Sequence, residues 1–317
     1  MKITTLKELL SDKSVEEFTW VVEDIIPEGS LVMLSGAPGD YKTWLALALA
    51  KAVSTGREFL GRKVKQTLVF YIDKENSKQL LRARIKKLNI LDQAKLNFWL
   101  RENDPPFLNS EQYLDISNQN PRSFLIFDSL RRFHLSDEND SREMARIMNQ
   151  LSQLTKSRTT VLLIHHKGKS EFAHGYRGSS DILASVDIAF SLEKGKKENG
   201  SKSIKLNCIK HRFIEDFSLD IEISGSEGIV HFKDITEKKN EERNQEKKEK
   251  FKEERWSIQG SISAFFKENN RYPNQSEVVR MSTYGRDKMR NVLKNGNGIF
   301  WIEKQGKGAE KIYIPKG

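Results

Sequence analysis

Between Ser30 and Asp234, short runs that are apolar throughout alternate with longer stretches whose apolar positions recur at helical spacing. SLVMLSG precedes a helical stretch from Thr43 through Ala52, QTLVFYID precedes one near Ser77–Lys87, and SFLIFD precedes one near Arg142–Lys156. TTVLLIHH closes the series. A strand with no polar alternation is buried on both faces, as in a parallel sheet covered by helices on each side. The pattern therefore predicts an α/β nucleotide-binding architecture. VDIAFSLEK and SIKLNCIKHRF extend the sheet, and FSLDIEISGSEGIVHFKD alternates polar and apolar residues like an antiparallel hairpin at its edge.

The pattern changes after Asp234. From Ile235 to Arg255 only Ile235 and Phe251 are apolar, so this stretch cannot bury a core; its mixed charges predict a solvated helical linker. From Trp256 onward SIQGSISAFFKEN has helical spacing, SEVVRMS follows the turn Tyr272-Pro273-Asn274, YGRDKMRNVLKN has a basic face, and GIFWIEKQGKGAEKIYIP reads as two strands around a Gly-Lys-Gly turn. Three short helices and a hairpin predict a winged helix-turn-helix module. It holds eleven Lys and Arg against five Asp and Glu, a large part of the net +10 of the 317-residue chain, and such an excess favours a polyanionic partner. The single cysteine, Cys208, excludes an internal disulfide and a cysteine zinc cluster. No apolar run approaches 18 residues and MKITTLKELLSDKS lacks the apolar core of a signal peptide, so the expected setting is cytoplasmic, with no membrane partner.

The chemistry begins at Gly36-Ala37-Pro38-Gly39-Asp40-Tyr41-Lys42-Thr43-Trp44, between an apolar strand and a helix. Small residues there let backbone N–H groups curl around a phosphate, the helix N-terminus adds positive charge, Lys42 reaches the β- and γ-phosphates and the Thr43 hydroxyl ligates Mg²⁺. Tyr41 stands where the pattern G-x-x-x-x-G-K-[ST] has its second glycine, so its Cβ strains the loop if the backbone must be left-handed. SFLIFD ends at Asp128, placed to hold the magnesium shell. TLVFYID ends at Asp73, with Glu75 two residues on, from where a carboxylate could orient or deprotonate the attacking water. Taken singly, an acid after a strand serves most often as a turn or helix cap; beside a phosphate loop the pair points to ATP hydrolysis.

The segments GAPGDYKTWLALALAKAVSTG, YIDKENS, LIFDSLRRFHLSDEND, LLIHHKGK and YRGSSDILASVDIAF, in this order, resemble the RecA-type ATPases and, among them, the plasmid-encoded RepA-like hexameric replicative helicases, from about Asp24 to Phe217. The resemblance implies a RecA-like fold, ATP and Mg²⁺ as ligands, assembly into a homo-oligomeric, hexameric ring, and single-stranded DNA threaded through it. It puts Lys42 and Thr43 on the phosphate-loop pair, Glu75 on the catalytic glutamate and Asp128 on the magnesium aspartate. His165 and His166 fall on the strand end that carries a γ-phosphate sensor, with the second favoured; a metal role for this pair lacks a third ligand at metal-site spacing. Lys210-His211-Arg212 resembles the K-x-R element that reaches across a subunit interface, and Arg177 is the other candidate for that finger. Lys167 and Lys169 lie where such proteins place a DNA-binding loop.

The expected organisation is a RecA-like ATPase domain over 1–234, a charged linker over 235–255 and a winged helix-turn-helix DNA-binding domain over 256–317. In that module Tyr284, Arg286, Lys288 and Arg290 face the major groove of duplex DNA and Lys304, Lys307 and Lys311 on the wing meet phosphate. The function expected is that of an ATP-driven, ring-forming DNA helicase or translocase of a plasmid, phage or other mobile element, with a primase or initiator as a possible partner. The alternatives are an ATP-gated DNA-binding regulator or replication initiator with weak turnover, and a recombinase-like filament protein.

Overall fold

The computed structural model describes residues 4–12, 18–91, 94–167, 180–195, 202–226, 228–308 and 310–316. The chain divides into two compact units, Met1–Thr236 and Glu237–Gly317. The first opens with helix α1 (Leu6–Ser11) and a small antiparallel pair, β1 (Trp20–Val22) and β2 (Ile26–Pro27). Then follow β3 (Leu31–Gly36), α2 (Lys42–Thr55), β4 (Val69–Asp73), α3 (Lys78–Lys87), β5 (Leu96–Leu100), α4 (Gln112–Gln119), β6 (Phe124–Asp128), α5 (Ser141–Leu154), β7 (Thr160–His166), α6 (Ser180–Ser185), β8 (Ile188–Lys194), β9 (Lys202–His211), β10 (Ser218–Ser226) and β11 (Ile229–Asp234).

Nine strands form one sheet in the order β11-β10-β9-β8-β3-β7-β6-β4-β5. From β8 to β5 all pairs are parallel, and β9, β10 and β11 add on antiparallel. The expected doubly covered parallel sheet is present, because every residue of β3 and β6 is buried and a helix layer packs on each face. The pattern missed β5, whose LNFWL is only partly buried at the sheet edge. It also missed α1, α4, α6 and the β1–β2 pair, which are too short to show a period.

Sheet order decides which strand ends meet. β7 lies between β3 and β6, and the register pairs Gly36 with His166 and Asp73 with Asp128. The carboxyl ends of β3, β7, β6 and β4 thus form one edge, where open α/β sheets bind ligands.

The second unit contains α7 (Thr236–Asn269), α8 (Gln275–Met281), α9 (Arg286–Gly296), β12 (Trp301–Gln305) and β13 (Lys311–Pro315), the two strands pairing antiparallel. Ile258, Ile262, Val278, Met289, Leu293, Trp301 and Tyr313 make its core. Gly296 is required there, since a Cβ would collide with the Trp301 ring. The charged stretch and SIQGSISAFFKEN, read from the sequence as a linker and a separate short helix, form one continuous helix. No proline stands between Thr236 and Asn269 to end it; the first beyond is Pro273.

Candidate active site

The loop from Gly36 to Tyr41 turns tightly through Gly39, at φ 83°, and enters α2 at Lys42. Tyr41 is left-handed, at φ 64° and ψ 15°. The mismatch with the glycine pattern therefore stores strain, on the order of 1–2 kcal/mol for a residue with a Cβ. Packing compensates in part, because Tyr41 and Trp44 are both half-buried against the core. Lys42 is 7% exposed, and its ammonium donates to the carbonyls of Gly36 and Ala37, each at 2.9 Å. Burial pushes its pKa down, and Asp40, Asp128 and Glu75 push it back up. Asp40 accepts the Ala37 N–H at 2.7 Å, so a carboxylate occupies an amide that faces phosphate in loops of this kind.

The acids arrive from two neighbouring strands. Asp73 is fully buried and its Oδ1 accepts the N–H groups of Glu75 and Asn76, both at 2.7 Å, a turn that aims the Glu75 side chain out over the strand ends. Asp128 is 1% exposed and accepts the Tyr71 hydroxyl at 2.9 Å, and Thr43 also hydrogen-bonds it. Burial, and then the negative charge of Asp73, push the Asp128 carboxyl up to about 7. Glu75 is perturbed the other way, down to about 2. The His166 imidazole, 3.7 Å from it, is the main cause; burial opposes, and Ser129, donating at 2.5 Å, assists. Ser129 Oγ also stands 3.4 Å from His166 Nε2, so Glu75, Ser129 and His166 form one polar cluster. Glu75 is ionised at neutral pH, as a base must be.

These side chains line one cleft of about 360 Å³, with Pro38, Gly39, Tyr41, Lys42, Thr43 and Trp44 on one side and Glu75, Asp128 and His166 on the other. Asn76 and Arg84 line it too, and sequence reasoning missed both. Arg84 donates to Asn76 at 3.0 Å and lies over the Trp44 ring at 5.6 Å. It stands in the basic run RARIKK, where only helix phase separates an inward arginine from solvated ones. Ser129 was missed although it directly follows Asp128.

His165 requires a correction. Adjacent residues of a strand point to opposite faces, so with His166 in the cleft His165 lies under the sheet, fully buried, its Nδ1 3.9 Å from Glu138. It is not a residue of this site. Lys167 is tied to Glu193 at 3.1 Å. Lys210 donates to the carbonyls of Leu183 and Ala184, and Arg212 pairs with Asp187 at 2.8 Å; neither lines the cleft of its own chain. Lys169 and Arg177 lie outside the described residues.

The donor set fits magnesium with a nucleotide. A hydroxyl and a buried carboxylate stand beside an ammonium, and a cation there would relieve the crowding of Asp73, Glu75 and Asp128. Among the described residues no three His, Cys, Asp or Glu side chains form a metal site by themselves.

In the second unit, Met289, Val292 and Leu293 turn inward from α9, leaving Arg286, Arg290 and Lys294 exposed along one line. Lys288 stands 3.9 Å from the Tyr284 ring centroid and 3.7 Å from Glu254, which also hydrogen-bonds Tyr284. Lys311 pairs with Glu303 at 2.8 Å, while Lys304 and Lys307 are exposed. Arg290 pairs with Asp287 at 3.7 Å, so four of the seven expected DNA contacts, Tyr284, Lys288, Arg290 and Lys311, already engage an acid of their own unit.

A phosphate loop between β3 and α2, facing carboxylates at the ends of β4 and β6 with a polar strand end between, defines a RecA-type P-loop ATPase. The chain belongs to the AAA domain family, whose profile matches residues 2–171. No curated protein matches the chain. Among solved structures, a DnaB-like replicative helicase, solved for its interactions with primase, aligns over 64% of this chain and 58% of its own, at 14% identity and a TM-score of 0.50. A solved ATPase domain aligns over 64% of this chain and 84% of its own, at 15% identity and a TM-score of 0.49. The flagellar accessory protein FlaH from Methanocaldococcus jannaschii aligns over 66% and 91%, at 15% identity and a TM-score of 0.46. At these identities the likeness is one of fold. No helix among the described residues is long and apolar enough to cross a membrane.

Proposed function

We propose that this protein is an ATP-driven, ring-forming DNA helicase or translocase for the replication of a plasmid, phage or other mobile element. The observation that carries the reading is the convergence of Lys42, Thr43, Glu75, Asp128 and His166 on one cleft that lacks Lys210 and Arg212. Besides Lys42 of the phosphate loop, the described residues lining the cleft include one Lys or Arg, Arg84, and Arg132 acts on Glu75 from nearby. Such a site is completed from a neighbouring subunit, as an arginine finger supplied in trans would do. Lys42 exchanges the Gly36 and Ala37 carbonyls for phosphate oxygens when ATP enters. Thr43 and Asp128 would hold magnesium, which would supply charge neutralisation on the phosphates. Glu75 orients the attacking water and takes its proton, held in place by Ser129. His166, which touches Glu75 and faces the cleft, senses the γ-phosphate and passes its loss to the chain that follows β7.

The second unit serves as a winged helix-turn-helix that docks the ring on duplex DNA, and a primase or initiator is the further partner expected of such a machine. The left-handed Tyr41 favours a second reading, an ATP-gated DNA-binding regulator whose strained loop turns over poorly. Steady-state ATP hydrolysis with and without single-stranded DNA, alongside unwinding of a forked duplex, separates the two. Stimulated turnover with strand separation supports the helicase, whereas ATP-dependent DNA binding without turnover supports the regulator.

A further inference from the structure

The carboxyl end of β9 carries Lys210 and His211, with Arg212 next, and a bulge decides where each points. Ile204, Leu206 and Cys208 alternate into one core layer. The register to β8 then shifts between Ala189 and Phe190, so that Phe190 pairs with Cys208 but Ala189 with Lys210. Beyond the shift His211 turns to the layer that holds Ile25 and Phe217. Lys210 and Arg212 turn the other way, toward the end of α6. Lys210 donates to the carbonyls of Leu183 and Ala184, and Arg212 donates to the Ala184 carbonyl at 3.3 Å and to Asp187 at 2.8 Å.

Backbone groups grip His211 from both sides of its ring. Its Nε2 stands 3.2 Å from the Ile25 carbonyl, and its Nδ1 accepts the N–H groups of Phe213 and Ile214, each at 3.2 Å. A carbonyl only accepts and an N–H only donates, so these partners demand a neutral ring with its proton on Nε2. An imidazolium would set an N–H against two others. The ring also packs on Phe213, Trp20 and Phe217, with centroids 5.8, 6.3 and 6.4 Å away. Burial lowers its pKa, while the Ile25 carbonyl and Asp216 oppose, so the neutral form prevails at pH 7.

We propose that neutral His211 is the positioning residue of Arg212: by accepting the Phe213 and Ile214 N–H groups it folds the chain back directly after Arg212 and fixes where the guanidinium reaches. The Arg212 side chain is 52% exposed, and an ion pair as open as the one with Asp187 contributes little by itself. The turn, rather than the pair, therefore sets its direction. The inference rests on the reading of Arg212 as a cation that completes the site of a neighbouring subunit.

Two substitutions in the full chain separate the acceptor from the bulk of the ring. His211→Asn places an oxygen near the Nδ1 position and loses the ring; His211→Phe keeps the ring packing and has no acceptor. His211→Phe should speed amide exchange of residues 212–216 about tenfold, as loss of one hydrogen bond does. It should also lower ATP turnover about tenfold or more, since a misplacement of about 1 Å can cost roughly 100-fold. His211→Asn should stay within about threefold of the wild type in both measurements. A residue that merely packs gives the opposite ranking; that ranking, or a His211→Phe protein equal to the wild type in both, would overturn the proposal. His211→Leu, with the shape of asparagine and no acceptor, gives the same contrast should the phenylalanine variant not fold. In an Arg212→Ala background His211→Phe should cost no further turnover, and additive losses would place its action elsewhere. Arg212→Ala with unchanged turnover would remove the finger reading alone, and amide exchange would still decide whether His211 holds the turn.

Discussion

Asp128→Asn should stabilise the first unit while abolishing ATP hydrolysis. Asp128 is 1% exposed, and burial together with Asp73 lifts its carboxyl from 3.8 to about 7. Between those values the folded protein holds a proton that the unfolded chain has released, so this group's contribution to stability falls as pH rises through that window and is flat above it. At 1.36 kcal/mol per pH unit the full penalty above pH 7 is about 4 kcal/mol. Asparagine has no charge to desolvate and keeps an oxygen for the Tyr71 hydroxyl, but brings an amide N–H without an acceptor, at about 1–2 kcal/mol. The net gain is therefore about 2 kcal/mol, or roughly 4–8 °C in Tm for a unit of this size. Urea and thermal unfolding of both proteins at pH 5 and pH 8 would measure it, and the variant's advantage should be larger at pH 8. Asp73, also raised by burial, is relieved of the Asp128 charge in the variant, which adds to the variant's advantage at pH 8. Magnesium with a non-hydrolysable ATP analogue should raise the wild-type Tm more than the variant's, because only the wild type has a charge for the ion to neutralise. A variant no more stable than the wild type at pH 8, or an advantage that does not change with pH, would refute the reasoning.

Other substitutions probe the same cleft. Glu75→Gln should lower turnover about 100-fold or more while nucleotide binding persists, read by ATP hydrolysis beside titration with a fluorescent analogue. Because Glu75 is lowered to about 2, its stabilising share is present above pH 4.5 and lost as pH falls toward 2; Glu75→Gln should remove that acid sensitivity. Lys42→Ala should weaken nucleotide binding about 10- to 100-fold, the worth of one or two charge-assisted hydrogen bonds; unchanged affinity would exclude the loop as the phosphate site. Tyr41→Ala should be less stable than Tyr41→Gly by about 1 kcal/mol in urea unfolding, since alanine keeps the left-handed strain and loses the ring as glycine does. Arg212→Ala mixed with Glu75→Gln should recover ATP hydrolysis above either alone if Arg212 acts across an interface; no recovery after confirmed subunit exchange would remove it from that role.

The architecture of the first unit was legible because its determinants are local. Runs such as FLIFD and TVLLIHH have no polar alternation, and their shortness and their alternation with helical stretches mark doubly covered parallel strands. A phosphate loop uses consecutive backbone N–H groups, so its residues must be contiguous. Glu75 and Asp128 could be placed for a similar reason, each standing at or just after a strand end. The sequence by itself thus determined the fold class, the loop and the acids that face it. What it left open depends on parity, phase and strand order. Whether His165 or His166 faces the cleft turns on which face of β7 is up, and a one-residue shift reverses it. Arg84 is told from Arg82 only by the rotation of α3 against the sheet. The lift on Asp128 arises because β4 and β6, separated in sequence by β5 and α4, are neighbours that bring two buried carboxylates together. Tyr41 could be flagged as a mismatch, but its left-handed backbone is a property of the closed turn. In the second unit, the capture of Lys288 and Tyr284 by Glu254 comes from helix packing, since α9 meets α7 there. Each of these is an orientation or a neighbour relation that the closed tertiary structure sets.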